Sequence, residues 1–423
     1  MVAAAVSPAG QLRWSQSGFS AEAPGWTKWA ARQEIAPRTW IEKQENRGEP
    51  GSLGISGASN AATYGGWERR LDGVRPGQWY RLTAHYRTDA VNFENLRVLG
   101  RLDWVRDDGK RAGQPDYGWR VTPGVEWKKV TIEAPAPERA VAVKIQLYLQ
   151  NEPQGTVWWD DLALEEIDAP GPRPVRVASV NFRPSKPRSP EDGVRQFVEL
   201  CQRQVPDGTD VILLPEGITV VGTGKQYPEV AEPIPGATTH ALGELARAKK
   251  AYVVAGIYER EGTALYNTAV LLDRQGEVMG SYRKVYLPRE EIEGGLTPGT
   301  DYPVFRTDFG RVGVMICWDL QYADPARALA RLGAELLLVP IWGGNETLGK
   351  ARAIENRVFI AASGYNYPTY VMDPDGEILS LARENGTLAQ AQIDLNRRYT
   401  DPWLGDMRGR FMKELRTDVL TDR

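Results

Sequence analysis

A chain of 423 residues exceeds what one ordinary hydrophobic core supports, so two domains are the starting expectation. With 42% hydrophobic and 25% charged residues it has a globular balance, and no run approaches the roughly 18 apolar residues of a membrane span. A formal net charge of −3 supplies no global field for phosphates or anionic lipid, which argues against nucleic-acid and membrane partners and for a small or neutral substrate.

The opening Met-Val-Ala-Ala-Ala-Val-Ser lacks the positive and apolar blocks of a signal peptide, while its small residues resemble what a cleavage site leaves behind. Cytoplasmic and exported locations both stay open. Stretches of alternating character follow at 80–87, 96–104, 128–133 and 142–149, parted by turns at Asp108-Gly109 and Pro123-Gly124, and this predicts a β-sandwich. All but three of the 14 tryptophans lie here. So many indoles mostly fill sandwich cores, with stacking on sugar rings the lesser alternative. Asp160 and Asp161 are a weak calcium signal against the six to eight oxygens that ion takes.

Ala-Pro-Gly-Pro-Arg-Pro at 169–174 disfavours both helix and central strand and marks a linker. Domains are therefore expected at 1–168 and 175–423, the second with a C-terminal tail, and the first is expected to fold without the rest. Beyond the linker strands alternate with helices: a strand at 176–181, a helix at 190–204, a strand at 211–214, a helix at 239–249 and a strand at 252–256. Hairpins turn at 273–276 and 308–310, followed by a helix at 323–332, a strand at 336–340 and a helix at 348–357. This is an α/β pattern.

Two cysteines, Cys201 and Cys317, and two histidines, His85 and His240, exclude a disulfide framework and a zinc site built on several such ligands. No cofactor is expected, and acid–base work falls on carboxylates or lysine. Three segments place a reactive side chain just past an apolar strand, where a sheet hands residues to a cleft. In Val211-Ile-Leu-Leu-Pro-Glu216-Gly217, Glu216 is either a base in a partly apolar setting or a strand-end glutamate facing water. In Gly280-Ser-Tyr-Arg-Lys284-Val-Tyr-Leu-Pro288, Lys284 is either a clamp for developing negative charge or part of a solvated face. In Gly313-Val-Met-Ile-Cys317-Trp-Asp-Leu-Gln321, Cys317 is either a thiol activated at a strand-to-helix turn or a buried structural cysteine. Cys201 shares one helical face with Val194, Phe197 and Val198 and reads as packing.

Taken in order, the three segments resemble the Glu-Lys-Cys signature of the nitrilase superfamily of carbon–nitrogen hydrolases. The flanks Tyr266-Asn-Thr-Ala-Val, Ile316-Cys-Trp-Asp and Arg352-Ala-Ile-Glu-Asn356 look like that family too. The resemblance implies an α/β four-layer α-β-β-α sandwich and assembly as a homodimer or higher homo-oligomer. It makes Cys317 the nucleophile, Glu216 the general base and acid, and Lys284 with the Trp318 amide the oxyanion stabiliser. Glu293 is the best match to a second glutamate before the Pro-Gly pair, with Glu290 and Glu291 as rivals. Cys317-Trp318-Asp319 looks more like the amidase and carbamoyl-hydrolase branches than like nitrilases proper. Trp318, Asp319 and Trp342 are expected at the oxyanion or substrate pocket, and the expected substrate is a small amide or N-carbamoyl compound, the alternatives being a true nitrilase or a carbohydrate-binding protein with an inactive hydrolase domain.

The first region resembles the jelly-roll carbohydrate-binding modules with a galactose-binding-like fold. The segments that carry this likeness are Pro76-Gly-Gln-Trp-Tyr-Arg-Leu-Thr-Ala, Glu126-Trp-Lys-Lys-Val-Thr and Gly155-Thr-Val-Trp-Trp-Asp-Asp-Leu-Ala-Leu-Glu. That resemblance implies an all-β jelly-roll sandwich and leaves a carbohydrate partner open.

Overall fold

The computed structural model describes residues 11–419 apart from 21 and 367. The chain forms two compact units: one runs up to Pro170 and resumes at Arg398, and the other is Gly171–Arg397.

The first unit is all-β, with two antiparallel sheets of seven and five strands. Alternation builds it. Along Trp79–Asp89 the residues Tyr80, Leu82, Ala84 and Tyr86 point into the core while their neighbours are half-exposed. This strand pairs with Lys128–Pro135 on one side and Thr156–Ile167 on the other. Ala142–Gln150 is central in the second sheet and sends Val143, Ile145, Leu147 and Leu149 into the same core. Trp14, Trp26, Trp67, Trp104 and Trp159 are buried in that core as well, so these indoles pack rather than present a stacking surface.

Asp160 lies at a bulge in Thr156–Ile167. Its carboxylate accepts the backbone N–H groups of Gly18 at 3.3 Å, Arg47 at 2.8 Å and Asp161 at 2.8 Å. Asp161 pairs with the Arg47 guanidinium. The two acids therefore fasten loops of this unit.

The C-terminal stretch, expected as a tail of the second domain, packs on the first unit instead. Arg398 pairs with Asp116, whose other oxygen accepts Trp104 Nε1–H at 2.7 Å. Lys413, on the Met407–Glu414 helix, donates from Nζ to the Val98 carbonyl at 3.1 Å. Hydrophobic periodicity gives the location of elements but not the surface on which a polar, charged tail docks. Deleting residues 398–423 leaves the buried Asp116 without its cation, and breaking a buried pair costs roughly 3–5 kcal/mol. The first unit of the truncated chain is therefore expected to melt at lower temperature in calorimetry. An unchanged transition would show that the segment is dispensable.

The second unit is an α/β domain with two mixed six-stranded sheets. One sheet runs Val278–Arg283, Ala264–Leu272, Tyr252–Glu261, Val211–Leu213, Pro174–Asn181 and Thr387–Asp394. The other runs Val304–Arg306, Arg311–Val314, Leu336–Pro340, Phe359–Ser363, Thr369–Met372 and Ile378–Ala382. Ser363 Oγ donates to the Val180 carbonyl at 2.6 Å and links the facing sheets.

The helices Pro190–Gln204 and Ala237–Lys249 cover the first sheet with Val194, Phe197, Cys201, Leu242 and Leu245. The first of them starts where Ser189 caps Asp192 N–H at 3.2 Å with a proline in the first turn. Asp324–Arg331 and Glu346–Asn356 are the helices on the side of the second sheet.

Candidate active site

The strand Val211–Leu213 ends in Leu214-Pro215-Glu216, which continues alongside Tyr252–Glu261 through Leu214 N–H to Val254 O at 2.8 Å, Gly256 N–H to Pro215 O at 3.0 Å and Ile218 N–H to Gly256 O at 3.0 Å. A Cβ on Gly256 would lie 2.6 Å from Glu216 Cα, so only glycine lets the two backbones approach this closely. Gly256→Ala must push Glu216 aside. Since a shift of about 1 Å at a reacting group can cost ~10²-fold, kcat should fall by about that factor in steady-state assays. Wild-type turnover would show that the strand pair absorbs the methyl group.

Lys284 follows the strand Val278–Arg283, with its N–H donating to Asn267 O at 2.9 Å and its carbonyl accepting Gly299 N–H at 2.8 Å. Asn267 and Gly299 thus hold the lysine backbone from both sides. Lys284 Nζ lies 2.8 Å from Glu216 Oε1 and 2.9 Å from Glu291 Oε1. Asn267 Nδ2 donates to the same two oxygens, at 2.7 and 3.0 Å. Burial acts to lower the Lys284 pKa, but the two carboxylates outweigh it and hold the ammonium above the ordinary lysine range. Burial pushes the Glu291 carboxyl up, against the pull of Lys284. Glu216 Oε2 is buried with no hydrogen-bond partner, so one oxygen remains to receive a proton.

Cys317 follows the strand Arg311–Val314 at a φ of 40°, a left-handed conformation uncommon for a side chain with Cβ. Its Sγ donates to Gly343 O at 3.2 Å. Burial and then the negative charge of Glu216 push the thiol up to about 12, while Lys284 opposes them. At rest the sulfur is a thiol and needs a base to become a nucleophile. Cys201 is also pushed up to about 12, by burial against the opposing charge of Lys249, but lies in the helix–sheet core away from the three-residue cluster.

Glu216, Lys284 and Cys317 are thus brought together, but Glu293, the expected second glutamate, is placed differently. Glu293 is exposed and pairs with Arg289 at 2.8 Å. The inward glutamate is Glu291, because two residues along the Arg289–Glu293 helix turn the side chain by roughly 200° to the opposite face. Asp319 is fully buried. Its Oδ2 accepts Ile316 N–H and Tyr282 O–H, each at 2.8 Å, and its Oδ1 accepts Tyr286 N–H at 3.0 Å.

Trp318 and Trp342 are 38% and 41% exposed and stand at the surface of the unit. The Trp342 indole lies 3.3 Å from where a Cβ of Gly217 would stand and packs edge-on to Tyr365, whose hydroxyl donates to Glu216 O at 2.7 Å. Asn267 and Tyr365 carried no role in the sequence reading. Asn267 lay inside a family-like flank, whereas nothing local marks Tyr365.

The description carbon–nitrogen hydrolase matches residues 176–402. The chain belongs to that family. This carbon–nitrogen hydrolase is 29% identical over 252 residues to the omega-amidase NIT2 of Homo sapiens, covering 52% of this chain and 89% of that protein. Against omega-amidase NIT2 of Danio rerio it is 31% identical over 274 residues, covering 58% of this chain and 95% of that one. Among solved structures it resembles an amidase from Nesterenkonia sp., with a TM-score of 0.47 and 25% identity over 54% of this chain and 95% of that chain. The hydrolase is amidase-like in these relatives.

Proposed function

We propose that the chain hydrolyses the C–N bond of a small amide or N-carbamoyl compound through a thioester on Cys317. The observation that carries this reading is the buried Lys284 ammonium held between Glu216 and Glu291, with one Glu216 oxygen free. Glu216 takes the thiol proton as sulfur attacks the carbonyl carbon, and the oxyanion is stabilised by Lys284 Nζ and the Trp318 N–H. Collapse breaks the C–N bond, and Glu216 returns the proton to the departing nitrogen, which leaves as ammonia or amine. Water, deprotonated by Glu216, then attacks the thioester, releases the acid and restores the thiol.

Lys284 is suited to its part because its charge is fixed by two carboxylates before substrate arrives, so little reorganisation accompanies the reaction. A screen for ammonia release from matched amides, carbamoyl amines and nitriles tests the assignment. Turnover of amides or carbamoyl compounds is expected. Release from nitriles alone would replace the reading with that of a true nitrilase, and no release from any class would reject it.

A further inference from the structure

The nucleophile and the ammonium come from different sheets: Cys317 follows a strand of the second and Lys284 a strand of the first. One side chain bonds to both segments. Asp319 takes Ile316 N–H, immediately before Cys317, and also Tyr282 O–H and Tyr286 N–H, which stand two residues to either side of Lys284. Ile316 and Tyr286 offer backbone N–H groups, which can only donate, and a deprotonated carboxylate takes both of them and the Tyr282 hydroxyl together. We propose that Asp319 is a positioning residue that holds the strained Cys317 turn in register with Lys284, so that sulfur and ammonium address the same carbonyl group.

This rests on the proposed roles of Cys317 and Lys284. An asparagine at 319 always directs its NH2 at one of the donors now satisfied, so the isostere disrupts the brace without altering its shape. Burial pushes the Asp319 carboxyl up to about 6, against its hydrogen bonds from Ile316 and Tyr286 and the smaller effects of Tyr282 and Lys284. Tyr302 also faces it electrostatically, and the Tyr286 hydroxyl contacts Asp324. Protonating Asp319 withdraws one acceptor site and obliges the Tyr282 hydroxyl, which already accepts Val285 N–H at 3.3 Å, to reverse or give up its bond, so the brace holds above that midpoint and loosens below it.

The test compares full-length wild type with Asp319→Asn and Tyr282→Phe in three readouts: kcat and KM, the acid limb of kcat, and the rate at which iodoacetamide alkylates Cys317. Asp319→Asn should lower kcat and the alkylation rate by about tenfold or more with little change in KM, and should lose an acid limb centred near 6. Tyr282→Phe removes one donor but keeps the carboxylate, so it should move that limb to higher pH with a smaller loss of kcat. The alkylation rate needs no substrate and separates failure of the brace from failure of the hydrolase reading. Wild-type kcat, pH profile and alkylation in folded Asp319→Asn would overturn the proposal. If that variant does not fold, an acid limb unmoved in Tyr282→Phe would overturn it.

Discussion

Replacing Cys317 with Ala is expected to abolish turnover while the protein stays folded, because no other side chain in the cluster supplies a sulfur nucleophile. Glu216→Gln keeps the shape of the side chain but removes the proposed base. With a thiol pushed up to about 12, deprotonation by solvent is no substitute at neutral pH. Its kcat should fall by at least the ~10²-fold typical of lost general acid–base catalysis, affecting both formation and hydrolysis of the thioester. Cys201→Ala is the control, since its thiol packs among Val194, Phe197 and Leu245, and the substitution should cost stability alone. Mass spectrometry of enzyme quenched during turnover should find an acyl adduct on the peptide that contains Cys317. An adduct on the Cys201 peptide, or turnover by Cys317→Ala, would remove the basis for the mechanism.

The second large effect is a contrast between two glutamates two residues apart. Glu291→Gln removes one of the two negative charges around a buried ammonium, and breaking such a pair costs roughly 3–5 kcal/mol. Lys284 loses part of the field that keeps it charged and in place, so kcat/KM should drop by ~10²-fold or more, with a lower melting temperature. Glu293→Gln touches only an exposed pair with Arg289, worth about 0.3–0.5 kcal/mol, and should leave activity within about twofold. Equal effects from the two variants, in kinetics and thermal melts run side by side, would contradict the placement of Glu291 against Lys284.

That contrast also marks where local sequence stops carrying information. The Pro190–Gln204 helix is legible because a serine cap, an early proline and a repeating apolar face coincide, and Leu336–Pro340 because five apolar residues fall between turns. Glu216, Lys284 and Cys317 are legible because each sits in a family-like segment beside a strand. Glu291 is harder because a helix of five residues is too short for periodicity to mark its inward face. Asp319 enters the expected pocket only through the family resemblance, and nothing local announces its burial. Its burial depends on donors 33 and 37 positions away, from Tyr286 and Tyr282. The short strands Arg13–Gln16 and Trp26–Ala30 also escaped the reading, since four or five residues give little alternation to recognise.

The two-part first unit has a consequence for synthesis. The chain enters and leaves the hydrolase unit at neighbouring points, with Pro174 opposite Asp394 in an antiparallel pair and Asn396 Nδ2 donating to Gly171 O at 2.7 Å. Ribosomes deliver the chain from its N-terminus, and domains generally fold in that order. Here the order of completion is reversed. The last strand of the hydrolase unit, Thr387–Asp394, is made before Arg398 and Lys413, which satisfy Asp116 and the Val98 carbonyl. The β-sandwich therefore receives its final pieces only after the hydrolase unit has all its strands.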